Sequence, residues 1–184
     1  MHVMATAQIT WQDVQQLPED GKRYEAIEGG LYVTAAPSYR HQRVSALLHG
    51  ALLQILEYPG HGHVTASPVG VEFPASEEGV QPDLIFISRS RSAIEAHDWI
   101  RGAPDLVVEI LSPSTAHRDK GIKHKLYRRQ GVLEYWLIDP EGDVVDVWRF
   151  GTEPEYERFT DRLPVRVGEQ TVGEIDLSEV FRRD

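Results

Sequence analysis

One carboxylate stands inside a strongly apolar stretch of the sequence. Glu109 is preceded by Leu-Val-Val at residues 106–108 and followed by Ile-Leu at residues 110–111. A strand this apolar is typically buried on both faces of a sheet. An ionised carboxylate is costly there unless a cation, a metal ion or hydrogen bonds compensate its charge. The fold therefore has to bring a compensating group to Glu109.

The helix predicted after this strand offers such a group. Residues about 100° apart around a helix axis place Lys123 in the sector between Leu126 and Tyr127, the face that packs against the sheet. Lys120 and Lys125 fall outside that sector. A lysine under the packing face, within reach of a strand carboxylate, is either a buried ion pair or part of an active site.

A second acid stands at the start of another apolar strand. Asp83 precedes Leu-Ile-Phe-Ile at residues 84–87, and a strand's first residues lie at the rim of the sheet, where water and a ligand can reach. If the two strands are neighbours, Asp83, Glu109 and Lys123 form a site of two carboxylates and one lysine. Two carboxylates suit a hard divalent cation such as Mg²⁺. The lysine can orient an attacking water or stabilise a pentavalent phosphate.

Four segments around these residues resemble a known family. They are RYEAIEGG at residues 23–30, PDLIFIS at 82–88, APDLVVEILSPST at 103–115 and DKGIKHKLYRRQGVLEYWLIDP at 119–140. In this order they resemble the Uma-type (DUF820-like) restriction endonuclease family of the PD-(D/E)XK nuclease superfamily, over about residues 10–150. The resemblance implies a restriction-endonuclease-like fold. It also implies an endonuclease that hydrolyses phosphodiester bonds in nucleic acid, with DNA as the expected substrate and Mg²⁺ or Mn²⁺ as the cofactor.

The resemblance also assigns roles by position. It makes Asp83 the first acid of the site and Glu109 the second, both as metal ligands together with the backbone carbonyl of Ile110. Two residues after Glu109 the superfamily has a lysine, but Leu111 stands there. Family members are thought to supply the lysine from the next helix, which is Lys123 here. Alternatively, the absence of a lysine at residue 111 means that this chain has lost its catalytic activity.

Three further residues have two interpretations each. Glu25 matches an early acid that joins the metal site in the superfamily, and an ordinary salt-bridged or solvent-facing acid is an equal alternative. His41 belongs to the family's pattern and is expected to contact phosphate or water, although a histidine at a helix start is more often a cap or a surface group. Tyr127 is expected to support Lys123 or, alternatively, to seal the helix onto the sheet.

Asp105 is an alternative first acid. Pro104-Asp105 repeats the Pro-Asp dipeptide that contains Asp83, and strand alternation places Asp105 on the same face as Glu109. However, it lies four residues away on the same strand, about 13 Å at the usual rise per residue, which is too far to share one metal ion with Glu109. The sequence therefore favours Asp83.

Composition restricts the setting of such a site. The chain has 184 residues, which suggests one domain, and no cysteine, which excludes disulfides and thiolate metal sites. No stretch is long and apolar enough for a membrane span, and the N-terminus has no signal-peptide pattern. A cytoplasmic location is therefore expected.

The charge is unevenly distributed along the chain. A net charge of −10 argues against strong non-specific binding to nucleic acid. Residues 118–129 nevertheless contain six Lys or Arg against one Asp. In this segment Lys120, Lys125 and Arg128 are candidate nucleic-acid contacts, or else part of a solvated helix face. Because two sites are needed to cut two strands, the nuclease interpretation also predicts a homodimer.

Two other functions fit parts of the pattern. Glu109 and Lys123 alone can form a structural ion pair in a catalytically inactive nuclease-like module that acts in protein or nucleic-acid binding. A carboxylate-pair hydrolase acting on sugars fits poorly, because that chemistry does not need the lysine.

The predicted fold is α/β (α+β), with a central mixed β-sheet flanked by helices and with N-terminal and C-terminal β-hairpins, in one domain over residues 1–184. Residues 1–9 are expected to be disordered, and residues 75–79 and 88–99 to be loops. Helices are predicted at residues 10–17, at 41–56, from a cap at Ser114 or Thr115 to Gly131, and at 175–181. Strands are predicted at residues 23–27, 31–34, 63–66, 69–73, 83–87, 106–111, 134–139, 144–150, 156–160 and 164–167.

Overall fold

Strands dominate the computed structural model, which describes residues 8–151 and 155–183. In chain order the strands are β1 (Arg23–Ile27), β2 (Gly30–Thr34), β3 (Gly62–Ala66), β4 (Val71–Phe73), β5 (Glu78–Val80), β6 (Leu84–Ser88), β7 (Ile100–Arg101), β8 (Leu106–Ile110), β9 (Glu134–Asp139), β10 (Val144–Arg149), β11 (Glu155–Phe159), β12 (Arg162–Val167) and β13 (Gln170–Asp176). The α-helical segments are α1 (Trp11–Val14), α2 (Tyr39–Leu52), α3 (Ala116–Arg118), α4 (His124–Gln130) and α5 (Leu177–Phe181).

A six-stranded mixed sheet forms the centre of the fold. Its strand order is β11-β10-β9-β8-β6-β3, in which β8 and β9 are parallel and the other neighbours are antiparallel. Side chains alternate between its two faces, so that Val107 of β8 joins one apolar cluster while Val108 joins the other. The central strand β8 is therefore buried on both faces, as its sequence predicts.

Helices and smaller sheets cover the two faces of the central sheet. On one face lie α2, α5 and the hairpin β12–β13, joined in a single apolar cluster. On the other face lie α4 and the five-stranded sheet β2-β1-β5-β4-β7. The predicted mixed α+β architecture, with a hairpin near each end of the chain, is confirmed. No helix in residues 8–151 and 155–183 has the length and apolar character needed to cross a bilayer.

One continuous helix, residues 116–130, connects β8 to β9. It consists of α3, a π-helical turn at Asp119–Lys123 and α4. It ends where predicted, at Gly131, whose φ of +83° is a left-handed conformation that glycine adopts without strain. The predicted side-chain cap is wrong, because Thr115 occupies the N-cap position without bonding the helix backbone. Its hydroxyl lies 3.0 Å from Ser112 Oγ instead.

Other local predictions are confirmed or corrected. Thr10 and Asp13 form the predicted capping box of α1. Residues 78–80 form β5 rather than a loop, because the buried Glu78 is paired with Arg129 of α4. Residues 89–94 form a 3₁₀-helix inside the predicted loop. The C-terminal helix begins at residue 177 instead of 175, since β13 continues to Asp176, which caps the helix through Ser178 N.

The structure describes only two of the nine N-terminal residues that are expected to be disordered, residues 8 and 9. Residues 1–7 lie outside the described residues. Ile9, by contrast, donates a backbone hydrogen bond to the carbonyl oxygen of Gly29 at 3.0 Å. Residue 9 is therefore hydrogen-bonded to the β1–β2 turn.

Candidate active site

A cleft of about 440 Å³ lies at one edge of the central sheet. Its wall includes residues of β1, the segment after β2, the start of α2, the end of β8 and the first turns of the helix at residues 116–130. Six acidic residues line it. Four of them are buried, namely Glu25, Asp83, Glu109 and Asp119, whereas Asp139 and Glu141 are not.

Asp83 lies immediately before β6, and three donors hold its carboxylate. Oδ1 accepts a hydrogen bond from Arg23 Nη1 at 2.6 Å. Oδ2 accepts from the backbone N–H of Ile110 at 2.8 Å and from His41 Nε2 at 3.1 Å. Burial acts to raise the pKa of Asp83, but the His41 hydrogen bond, the Arg23 charge and the Ile110 N–H outweigh it and lower the pKa to about 2. Asp83 is therefore ionised.

Glu109 is on the face of β8 that meets α4. Its Oε1 accepts hydrogen bonds from Lys123 Nζ at 2.9 Å and from the Tyr127 hydroxyl at 2.5 Å. Burial raises the pKa of Glu109, Lys123 lowers it, and the neighbouring Asp119, Asp83 and Glu25 raise it again, to about 8. The carboxyl group of Glu109 therefore keeps its proton to a higher pH than an ordinary glutamate does.

Lys123 stands at the end of the π-helical turn and is surrounded by acids. Its Nζ lies 2.8 Å from Glu25 Oε1, 2.9 Å from Glu109 Oε1 and 3.8 Å from Asp119 Oδ1. Burial acts to lower the pKa of Lys123, but the three carboxylates raise it above its usual value. The side chain is therefore a buried, fully charged ammonium group.

The site holds more negative than positive groups. Its four buried acidic side chains are in direct contact with two permanent cations, Arg23 and Lys123. Two buried carboxylate oxygens, Glu25 Oε2 and Asp119 Oδ1, have no hydrogen-bond partner among the described residues. Unpaired buried oxygens of this kind are uncommon. Hard oxygen donors with an excess of negative charge fit a divalent cation such as Mg²⁺ or Mn²⁺.

The carboxylates are nevertheless not grouped as a complete ligand set. Within residues 8–151 and 155–183, no three His, Cys, Asp or Glu side chains converge on one point where a metal ion fits. Both oxygens of Asp83 and one of Glu109 are engaged by donors of the chain itself. Binding a cation therefore requires that at least one of these donors move.

Comparison with known proteins gives the family of the chain. Residues 11–177 match the family model Uma2, described as "Putative restriction endonuclease". The chain belongs to the Uma2 family. An uncharacterized protein from Synechocystis sp. is 23% identical over 165 residues, covering 86% of this chain and 82% of its own length.

A solved structure has the same fold as this Uma2 chain. The crystal structure of a DUF820 protein from Anabaena variabilis, described as a "putative nuclease", matches with a TM-score of 0.72 and 24% identity. The match covers 94% of this chain and 97% of that one. The fold is thus the restriction-endonuclease-like fold that the sequence motifs predict.

The Uma2 chain brings most of the predicted site residues into the cleft. Asp83, Glu109 and Lys123 line it, as do Ile110, Glu25 and His41. Tyr127 is buried behind them on Glu109, where burial and that carboxylate raise the pKa of its hydroxyl well above the usual value and keep it a donor.

The remaining predicted residues lie elsewhere or at the margin. Asp105 accepts hydrogen bonds from the backbone N–H and the hydroxyl of Ser88, at 2.8 and 3.0 Å, and does not line the cleft. Of the three basic residues predicted to contact nucleic acid, Lys120 lines the cleft, whereas Lys125 and Arg128 are exposed and do not.

Sequence reasoning assigned no role to two residues at the centre of the Uma2 site. Arg23 is two residues from Glu25 on the same strand, so strand alternation places both on one face and is a usable signal. Asp119 is one helical turn before Lys123 and faces the same way, which the helical spacing also predicts. The sequence does not show that this face of β1 and this face of the helix line the same cleft.

Proposed function

We propose that this chain is a metal-dependent endonuclease that hydrolyses phosphodiester bonds in nucleic acid, with DNA as its substrate. The observation that carries the proposal is the ammonium group of Lys123, buried between Glu25 and Glu109 in the same cleft as Asp83. The Uma2 membership supports a nuclease of the restriction endonuclease type. The two functional classes in competition are this hydrolase and an inactive binding module.

In this proposal Asp83 and Glu109 would hold one Mg²⁺ or Mn²⁺ ion, with the carbonyl of Ile110 and the unpaired oxygen of Glu25 as further ligands. Such an ion would polarise the phosphodiester and lower the pKa of water. Of the three donors on Asp83, Arg23 has the most exposed side chain, at 17%. Arg23 is therefore the donor that would release Asp83 for the ion, and its guanidinium would then be free to pair with a substrate phosphate.

The residues of the chain then divide the work of hydrolysis. Hydrolysis joins a water oxygen to phosphorus and breaks the bond to the leaving sugar oxygen. Lys123 orients the attacking water or neutralises the charge that develops on the phosphate oxygens. Tyr127 fixes the rotamer of Glu109 through its hydroxyl, and His41 fixes that of Asp83. Lys120 contacts the phosphate backbone inside the cleft, while Lys125 and Arg128 contact it only where nucleic acid passes over the outer helix face.

The alternative is a catalytically inactive, nuclease-like module in which Glu109 and Lys123 form a structural ion pair and the protein binds another protein or nucleic acid. One observation favours it, namely that the oxygens of Asp83 and Oε1 of Glu109 already have partners within the chain. Leu111 at the usual lysine position is consistent with it.

Cleavage assays separate the two functions. Supercoiled plasmid and labelled DNA and RNA oligonucleotides are incubated with Mg²⁺, Mn²⁺ or EDTA. We expect metal-dependent cleavage of DNA that Asp83→Asn abolishes and that Lys123→Met slows about 100-fold or more. Lys22→Met, which removes an exposed lysine paired with Asp20 at 2.5 Å, is the matched control and keeps wild-type activity. Absence of cleavage with every metal and substrate would favour the inactive module.

The proposal extends to a homodimer, because cutting both strands of a duplex takes two sites. It also places the protein in the cytoplasm. Sedimentation equilibrium measures the mass in solution. A mass of two chains, and linearisation of plasmid rather than nicking alone, are the expected results.

A further inference from the structure

Arg118 spans from the helix to the neighbouring sheet across the wall of the cleft. It is the last residue of α3, and its Nη2 donates a hydrogen bond to Thr34 Oγ1 of β2 at 2.5 Å. Its guanidinium carbon lies 5.5 Å from the centre of the Tyr32 ring, a cation–π distance. The side chain is thus held in one orientation by two contacts, neither of which is with a carboxylate.

Arg118 differs from the other arginines that line the cleft. Arg23 is paired with Asp83 and Arg40 with Asp143, whereas Arg118 has no carboxylate within salt-bridge distance among the described residues. The Nε of Arg118 is buried and has no hydrogen-bond acceptor there. A buried donor without an acceptor is destabilising, which is a reason to expect that an acceptor is present in the working protein.

The chemistry of the missing acceptor follows from the donor. A guanidinium is a planar fork of N–H groups that matches two oxygens of a phosphate, and it remains charged at all physiological pH values. Lys120, two residues further along, is exposed and lines the same cleft. A negatively charged ligand with repeated phosphates can contact both side chains at once.

We propose that Arg118 is a phosphate-binding residue, which holds the backbone phosphate of a nucleic acid strand beside the phosphodiester bond that is hydrolysed. Tyr32 and Thr34 pre-orient it, and the strand enters between β2 and the helix start rather than over the outer face that carries Lys125 and Arg128. The identity of the ligand rests on the proposed function. The presence of a phosphate site on Arg118 does not require that the site be catalytically active.

A purely structural role for Arg118, joining the helix to β2, makes a different prediction. Loss of that contact would lower thermal stability and would change nucleic acid binding no more than the stability loss explains. A phosphate-binding role requires instead that binding change in protein that is still folded, and that the change depend on the charge of one particular phosphate.

Fluorescence anisotropy with a labelled DNA oligonucleotide in EDTA measures binding without cleavage. We expect Arg118→Ala to weaken binding about 10-fold or more and to reduce by about one the slope of log K against log salt concentration, as for a lost phosphate contact. Arg118→Lys is expected to recover the salt slope but only part of the affinity. The control is Arg162→Ala, which removes an equal charge from an exposed arginine of β12 that pairs with Glu174 and does not line the cleft. It is expected to bind like wild type, and circular dichroism checks that each variant is folded.

Oligonucleotides with single neutral methylphosphonate linkages locate the contact. At one position of the oligonucleotide, the neutral linkage is expected to weaken binding by the wild type but not by Arg118→Ala. The neutral linkage and the Arg118→Ala substitution remove the same interaction, so their effects do not add. Equal binding of wild type and Arg118→Ala, an unchanged linkage dependence in that variant, or no binding of any oligonucleotide by wild type would overturn the proposal.

Cleavage is scored separately. A wild type that binds through Arg118 without cleaving contradicts only the proposed function, and an Arg118→Ala variant that binds and cleaves like wild type contradicts only the phosphate site.

Discussion

The ammonium nitrogen of Lys123 lies 2.9 Å from Oε1 of Glu109, and both residues are only 3% exposed. Removing Lys123 alone leaves Glu109 and Glu25 without their shared cation, whereas replacing both Lys123 and Glu109 leaves only Glu25 without it. Single and double substitutions of Lys123 and Glu109 therefore differ in their effect on stability. This effect can be measured independently of activity.

The first prediction concerns the stability of this ion pair. We expect Lys123→Met alone to lower the free energy of unfolding by about 3–5 kcal/mol, because Glu109 and Glu25 lose their shared cation. The double variant Glu109→Gln with Lys123→Met is expected to recover part of that loss. Urea denaturation measures both, with Lys22→Met as an exposed-pair control that changes stability by less than about 1 kcal/mol. Strictly additive effects of the two substitutions would contradict the coupling.

The second prediction concerns pH. The pKa of Glu109 is about 8 in the folded protein against 4.5 for the ordinary side chain, so the folded state binds one more proton between these values. Stability must then fall as pH rises from about 4.5 to about 8 and level off above that. In metal-free buffer, we expect the free energy of unfolding of Glu109→Gln to rise relative to that of the wild type over this range, by up to a few kcal/mol. A tenfold change in proton affinity is worth about 1.4 kcal/mol. Parallel curves from urea titrations at pH 5, 6.5 and 8 would exclude a raised pKa.

The third prediction concerns metal binding in the absence of substrate. Millimolar Mg²⁺ or Mn²⁺ is expected to raise the melting temperature by a few degrees, because a ligand that binds only the folded state stabilises it. Asp83→Asn and Glu109→Gln should each remove the shift. Glu95→Gln, which alters an exposed carboxylate paired with His63, should retain it. Differential scanning fluorimetry with an EDTA reversal provides the measurement, and an unshifted wild type argues against a metal site.

The fourth prediction concerns packing beneath the N-terminal sheet. A methyl group added at Gly79 of β5 would overlap the ring of Trp11, whereas Gly50 of α2 has open space around it. We expect Gly79→Ala to cost about 1–3 kcal/mol through overpacking. Gly50→Ala is the matched substitution and should stabilise by up to about 1 kcal/mol through helix propensity. Thermal unfolding of the two variants compares them directly, and a Gly79→Ala variant as stable as wild type would show that Trp11 can move.

Local patterns were sufficient to predict part of the site. The apolar run around Glu109 predicted a strand buried on both faces, and helical spacing predicted that Lys123 faces that strand. Both inferences depend only on repeats within a few residues. They therefore remain valid whatever the order of strands in the sheet.

Contacts between distant segments were beyond such patterns. Arg23 reaches Asp83 across 60 residues, and the buried Glu78 of β5 is paired with Arg129 of α4. The Arg118–Thr34 contact joins residues that are 84 apart. Each depends on how the five-stranded sheet docks on the helix or on the central sheet, which no periodicity in the sequence encodes.

The π-helical turn at Asp119–Lys123 gives the helix one residue more than a regular α-helix needs between its two docked ends. Deleting Gly121, around which there is open space, would return the segment to ordinary winding and rotate everything on one side of the deletion by about 100°. If α4 stays anchored through Leu126 and Tyr127, the rotation falls on Arg118 and Asp119, and both swing out of the cleft. The one extra residue of this turn thereby sets the phase between the part of the helix that anchors the fold and the part that lines the cleft.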